Sequence, residues 1–84
     1  MATTDIATAS LRRANSARFW RKSADLLQAE AARELGIPRY LLSMIETGLI
    51  TPAFDLAMGM ARLYRCGIAD LFPADEELIA SSRE

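Results

Sequence analysis

Arg39, Tyr40, Ser43, Met44 and Thr47 follow one another at intervals of one, three, one and three residues. On a helix that spacing sets all five side chains on one face. The face carries a guanidinium, three hydroxyl groups and a thioether. These groups recognise a surface and do not transform a substrate. A guanidinium can pair bidentately with a planar acceptor such as a guanine edge, with roughly 1–3 kcal/mol of discrimination against the wrong base. Chemistry of a reactive kind has no comparable foothold. The chain has no histidine and a single cysteine, Cys66. It has no glycine-rich phosphate loop and no nucleophile with a base beside it, and its carboxylates are scattered without a partner arrangement. No spacing of metal ligands occurs. The expectation is a protein that is not an enzyme and holds no metal or cofactor.

The elements that would position this face are legible. Gln28 to Leu35 is a short run of strong helix formers, and Gly36 follows it. Glycine tolerates the left-handed backbone that ends a helix and turns the chain. Ile37 can then drop into a core, and Pro38 opens the next helix, where its missing N–H costs nothing. Arg39 to Thr47 forms that second helix, closed by Gly48, with Leu42 and Ile45 turned inward toward Leu35 and Ala31. Two short helices joined by a glycine-containing turn make a helix-turn-helix, here over residues 28–47. Asp25-Leu26-Leu27-Gln28 fits a capping box, with Asp25 as the cap and Gln28 reaching back.

Around this pair the rest of the chain also reads as helix. Residues 1–9 form an N-terminal arm. Ser10 caps a first helix running to about Ala24, with Leu11, Ala14, Ala17, Phe19, Trp20 and Ala24 as its apolar stripe. After the loop Leu49-Ile50-Thr51-Pro52, a fourth helix spans about Ala53 to Arg65, with Phe54, Ala57, Met58, Ala61 and Tyr64 at helical spacing. Cys66-Gly67 breaks it, Ile68 to Phe72 gives one more turn, and Pro73 ends that. Residues 74–84 are an acidic tail or a short helix around Leu78 and Ile79.

Eighty-four residues suffice for one domain, placed at 10–73, with a modest core. Valine is absent while Ala, Leu, Arg and Glu abound, a balance that favours helix over sheet. No apolar run is long enough to span a bilayer. A lone cysteine suits a reducing cytoplasm. The net charge of −1 hides an uneven distribution. Residues 1–24 hold Arg12, Arg13, Arg18, Arg21 and Lys22 against Asp5 alone, whereas the last twelve residues are acidic. Total charge therefore gives no basic footprint of the kind nucleic-acid binders show. The N-terminal cations serve either phosphate or a solvated helix face.

The stretch from Ala17 to Phe72 resembles the Xre family, the Cro and phage-repressor type of DNA-binding domain. The residues that carry the likeness are Ala17-Arg18-Phe19-Trp20-Arg21, Leu26-Leu27-Gln28 and Ala32-Arg33-Glu34-Leu35-Gly36-Ile37. They continue with Ser43-Met44-Ile45-Glu46-Thr47-Gly48, Pro52, Ala61 and Asp70-Leu71-Phe72. The resemblance implies an all-α, compact five-helix lambda-repressor-like domain. It implies that Gln28 contacts a phosphate and braces the recognition helix, and that Arg39, Tyr40, Ser43 and Met44 face bases or backbone in the major groove. Thr47 and Thr51 fall where family members grip phosphate, and Glu46 matches an acid that pairs within the domain. Arg18 and Arg21 match basic positions that serve either a phosphate or an internal salt bridge. Three departures stand out: Leu27 replaces the usual Ser or Thr cap, the reading positions hold Tyr40, Leu41 and Met44, and the following loop has Leu49-Ile50 in place of cations.

Two functions follow as expectations. The first is a cytoplasmic, sequence-specific transcriptional regulator of the bacterial or phage kind (repressor, controller or antitoxin). It would read double-stranded operator DNA as a homodimer paired through Leu63, Ile68, Leu78 and Ile79. The second is a protein-interaction module such as an antiactivator, docking a partner on Tyr40, Leu41, Met44, Leu49 and Ile50.

Overall fold

The computed structural model describes residues 15–83. The proposed arm at 1–9, the Ser10 cap and the apolar positions Leu11 and Ala14 lie outside them. Six helices follow in order: α1 (Ala17–Ser23), α2 (Gln28–Leu35), α3 (Arg39–Glu46), α4 (Phe54–Tyr64), α5 (Ile68–Leu71) and α6 (Glu76–Ser82), with no strand among the described residues.

The first described helix, α1, starts at Ala17. Asn15 and Ser16 are not helical. The Asn15 Oδ1 atom accepts the Ala17 N–H at 3.0 Å, which satisfies one of the orphan donors at a helix start. A single helix from Ser10 to Ala24 is thereby corrected. The chain then turns at Asp25, whose φ of 59° is left-handed. That conformation removes Asp25 from the capping role expected of it. The residue before α2 is Leu27, and its N–H donates to the Glu30 Oε1 at 2.8 Å. Glu30 thus supplies the reaching-back half of a capping box, and leucine has no oxygen to supply the other half.

The turn between α2 and α3 follows the sequence logic. Gly36 takes φ 70°, and its N–H and that of Ile37 return to the Arg33 and Ala32 carbonyls. A Cβ built on Gly36 would meet nothing within 4 Å, so backbone conformation is what favours glycine here. α4 ends on the same left-handed geometry without a glycine: Arg65 has φ 59°, and the Cys66 N–H bonds the Ala61 carbonyl at 2.9 Å.

Leu42, Ile45, Met60 and Leu71 are the largest fully enclosed side chains and mark the centre. Ala17, Ala31, Ala32, Ala57 and Ala61 surround them, small residues that let α1, α2, α3 and α4 approach closely. Tyr64 and Phe72 are buried, while Trp20 and Phe54 pack half-buried against the core. Phe19, counted in the first apolar stripe, is 63% exposed and meets Trp20 edge-on at 5.5 Å between ring centroids. The acidic tail folds back as α6. Asp75 caps it by accepting from the Leu78 N–H at 3.1 Å, and Leu78 is buried.

Two residues expected at a dimer seam are corrected by this packing. Ile68 and Leu78 are 3% and 7% exposed, so their apolar surface is consumed by the chain's own core. Leu63 and Ile79 remain half-buried. No helix among the described residues is long and apolar enough to cross a membrane.

Candidate nucleic-acid interface

The recognition-like face is held from behind by a ladder of polar contacts that crosses three helices. Arg21, in the last turn of α1, reaches Glu46 at the end of α3. Its Nε donates to the Glu46 Oε2 at 2.6 Å and its Nη2 to the Oε1 at 3.2 Å. Nη1 donates to the Leu26 carbonyl at 2.8 Å, just before α2. Both side chains are enclosed, at 7% and 3% exposure. A carboxylate at a helix C-terminus meets the negative end of the dipole. The bidentate guanidinium offsets that repulsion, and forked pairs of this kind fix geometry as well as charge.

The ladder continues outward. The Gln28 Nε2 donates to the Glu46 Oε1 at 3.1 Å. Because a carboxylate only accepts, it selects the amide orientation of Gln28 that turns the carbonyl oxygen away. That oxygen accepts from the Arg39 Nε at 3.0 Å. The guanidinium of Arg39 is therefore oriented through its Nε, and its two terminal nitrogens are left to face outward. An ion pair buried under α1 sets, through one glutamine, the direction of the exposed arginine at the start of α3.

Most of the sequence-derived contact residues gather here. Arg18, Arg21, Gln28, Arg39, Ser43, Glu46 and Thr47 border one open depression. Tyr40 is 68% exposed on α3, and Met44 is half-buried one turn further on. Two residues behave differently from a free contact. All three kinds of guanidinium nitrogen of Arg21 are engaged inside the domain, so of its two expected roles the structure carries the internal salt bridge, and its place among phosphate contacts is corrected. The Thr47 hydroxyl donates back to its own helix, at 3.0 Å from the Ser43 carbonyl and 3.2 Å from that of Met44.

Thr51 does not join this group. It borders a separate depression with Ala74, Asp75, Glu76 and Glu77, and carboxylates there repel a phosphate. Of the apolar loop residues, Leu49 is 51% exposed, whereas Leu41 and Ile50 pack partly against the core.

One contributor escaped the sequence reading. The Asn15 Nδ2 donates to the Ile45 carbonyl at 2.9 Å while its oxygen caps α1. The same side chain thus ties the start of the first helix to the last turn of α3. An asparagine two residues ahead of a helix is a recognisable local cap, but its reach to residue 45 has no sequence signal.

Two groups, Tyr64 and Cys66, are held in their protonated forms by burial. Burial first, and then the charge of Glu46, push Tyr64 up to about 12, and its hydroxyl is enclosed with no hydrogen-bond partner. Burial, followed by the charge of Asp70, pushes the Cys66 thiol up to about 11, which keeps it protonated and poorly nucleophilic at neutral pH. No three His, Cys, Asp or Glu side chains gather as a metal site among the described residues.

Known proteins share this pattern. The helix-turn-helix family model HTH_3 matches residues 18–71. Two proteins of Archaeoglobus fulgidus named as uncharacterized HTH-type transcriptional regulators are similar over most of their length. One is 31% identical over 64 residues, covering 76% of this chain and 90% of the relative. The other is 33% identical over 60 residues, covering 71% and 86%. A protein of the same description from Methanocaldococcus jannaschii is 29% identical over 63 residues, covering 75% and 96%. All three are archaeal, in contrast to the bacterial or phage setting expected above. On the family match and these relatives, the chain belongs to the Xre-like helix-turn-helix family.

Proposed function

We propose that this protein is a DNA-binding transcriptional regulator that lays α3 in the major groove of duplex DNA, with two copies reading a two-fold operator. The observation that carries this reading is the Glu46–Gln28–Arg39 relay. It fixes one exposed guanidinium at the start of α3 without using its terminal nitrogens. Arg39 then reads a base edge, with Ser43, Tyr40 and Met44 beside it for polar and thymine-methyl contacts. Gln28 and Arg18 take flanking phosphates, and Thr47 joins them if its hydroxyl swings off its own helix. The archaeal relatives, named as transcriptional regulators, support the same role. A single domain of this size makes few phosphate contacts, and a second copy one helical turn away supplies the missing affinity. Such a role places the protein in the cytoplasm.

A second reading has its own observation. Tyr40 and Leu49 are both more than half exposed, and residues 47–53 contain no lysine or arginine. A contiguous exposed apolar surface commonly marks a protein partner. Recovery of sheared genomic DNA on the immobilised protein, followed by sequencing, separates the two. Enrichment of one palindromic sequence supports the regulator. Even recovery of all fragments, or none at low salt, contradicts it and favours a protein docking on Tyr40, Leu41, Met44, Leu49 and Ile50.

A further inference from the structure

The outward face of α3 is selective through the groups it lacks. Bidentate reading of adenine needs a side-chain amide, and accepting from the cytosine N4 suits a carboxylate. Asn15 and Gln28 are the only side-chain amides in the chain, and both are engaged inside the domain. Asn15 donates to the Ile45 carbonyl and accepts the Ala17 N–H. Gln28 donates to Glu46 and accepts from Arg39, so the nitrogen and the oxygen that an adenine edge would require are already taken. The Glu46 carboxylate is likewise held by Arg21 and Gln28. Among the described residues, the face therefore keeps Arg39 for guanine and the Tyr40 ring and Met44 thioether for apolar contact. Its hydroxyl groups serve any base edge and discriminate little.

Arg39 and Tyr40 are exposed neighbours at the start of α3. The Arg39 Nε is held by the Gln28 carbonyl oxygen at 3.0 Å, so the two terminal nitrogens are the ones left for guanine O6 and N7. In B-form DNA the C5 methyl group of a pyrimidine lies against the major-groove edge of the guanine on its 3′ side. A guanidinium paired with that guanine touches the methyl as well, and the Tyr40 ring offers it a second apolar surface. Thymine and 5-methylcytosine share this methyl, and cytosine has hydrogen in its place. No free amide or carboxylate on the face tells the thymine O4 from the cytosine N4. We infer that α3 reads a 5-methylpyrimidine followed by guanine, with thymine and 5-methylcytosine serving alike and unmethylated cytosine serving poorly. Methylation of cytosine at C5 then converts a weak site into a strong one, which makes this face a sensor of DNA methylation.

This inference deepens the major-groove reading of α3 proposed above and rests on it. Selection by the full chain from a random-sequence duplex library tests it, with the library prepared in three forms. One carries ordinary bases, one has uracil in place of thymine, and one has 5-methylcytosine in place of cytosine. The ordinary library should yield a shared thymine–guanine step, and the methylated library should add 5-methylcytosine–guanine at the same place. The uracil library should keep the guanine and lose the preference for the base before it. In fluorescence anisotropy, replacing that one thymine by uracil in the selected duplex should weaken binding about fourfold, the worth of one buried methyl group. Tyr40→Ala should shrink that difference, with far-UV circular dichroism as a check of fold. Guanine enriched with no preference before it, or a preference that survives in uracil, overturns the methyl reading and leaves α3 in the groove. No enrichment from any library overturns the groove reading itself.

Discussion

The helix-turn-helix presents two faces that are held in opposite ways. Behind the outward side of α3 a chain of polar groups is tied: Arg21 to Glu46, Glu46 to Gln28, Gln28 to Arg39. Across α2 and α4, the groove at Leu35, Leu56 and Leu63 is apolar, half-exposed and crossed by no such network. Hydrogen bonds fix direction, so the first face is built to aim a side chain. Apolar surface fixes area and not orientation, so the second aims no side chain. One small domain thus holds two kinds of surface, one fixed in direction at α3 and one fixed only in area at α4.

The comparison breaks most forcefully at the ladder. Glu46→Ala leaves the Arg21 guanidinium enclosed and unpaired, and should lower unfolding free energy by about 3–5 kcal/mol in chemical denaturation. Replacing both residues, Arg21→Met with Glu46→Leu, should cost much less than Glu46→Ala alone. Loss of the same size in the double variant would show that the pair is not what holds α1 to α3.

Two glycines sharpen the contrast next. Gly36→Ala forces a Cβ into left-handed backbone and should cost about 1–2 kcal/mol, although the side chain meets nothing. At Gly59 the identical change should stabilise the monomer by about 0.5–1 kcal/mol, because the helix there has ordinary backbone and room for a methyl. Arg65→Gly, at the left-handed end of α4, should gain a similar fraction of a kilocalorie, about 0.5–1 kcal/mol. Thermal melts of the dilute protein measure all three.

Tyr64 gives the smallest effect. Its hydroxyl is buried without a partner, so Tyr64→Phe should change stability little at neutral pH. At alkaline pH the two proteins should diverge. The folded state holds the Tyr64 proton up to about 12 against an ordinary 10.0, so stability from this group is fully present below pH 10 and is lost as pH rises toward 12. Cys66, raised from 9.0 to about 11, adds a loss that begins near pH 9. Denaturation midpoints between pH 9 and 12 should fall less steeply for Tyr64→Phe.

Local chemistry made part of this legible in the sequence. Gly36 and Pro38 fix the turn between α2 and α3 through backbone preferences that need no tertiary context, and both helices fall where their residues place them. Arg21 shows what the sequence hides. An arginine reads as outward by default, and its burial depends on a carboxylate twenty-five residues away. Ile68 and Leu78 mislead for a related reason: apolar spacing marks a face to be covered, but not whether the chain or a partner covers it. The break before α1 is hidden for a like reason: Asn15 reads as one more polar residue of a helix, and its bonds to the Ala17 N–H and the Ile45 carbonyl depend on where α3 ends.

The central claim is that Glu46 and Gln28 aim Arg39 at a base. Fluorescence anisotropy of the enriched duplex and a scrambled one, across a series of salt concentrations, tests it on wild type and Arg39→Ala. Wild type should prefer the enriched duplex, with affinity falling steeply as salt rises. Arg39→Ala should lose that preference by about 1–3 kcal/mol while keeping its helical content and residual salt-dependent binding. Unchanged preference in Arg39→Ala, or no binding by wild type at low salt, would contradict the account.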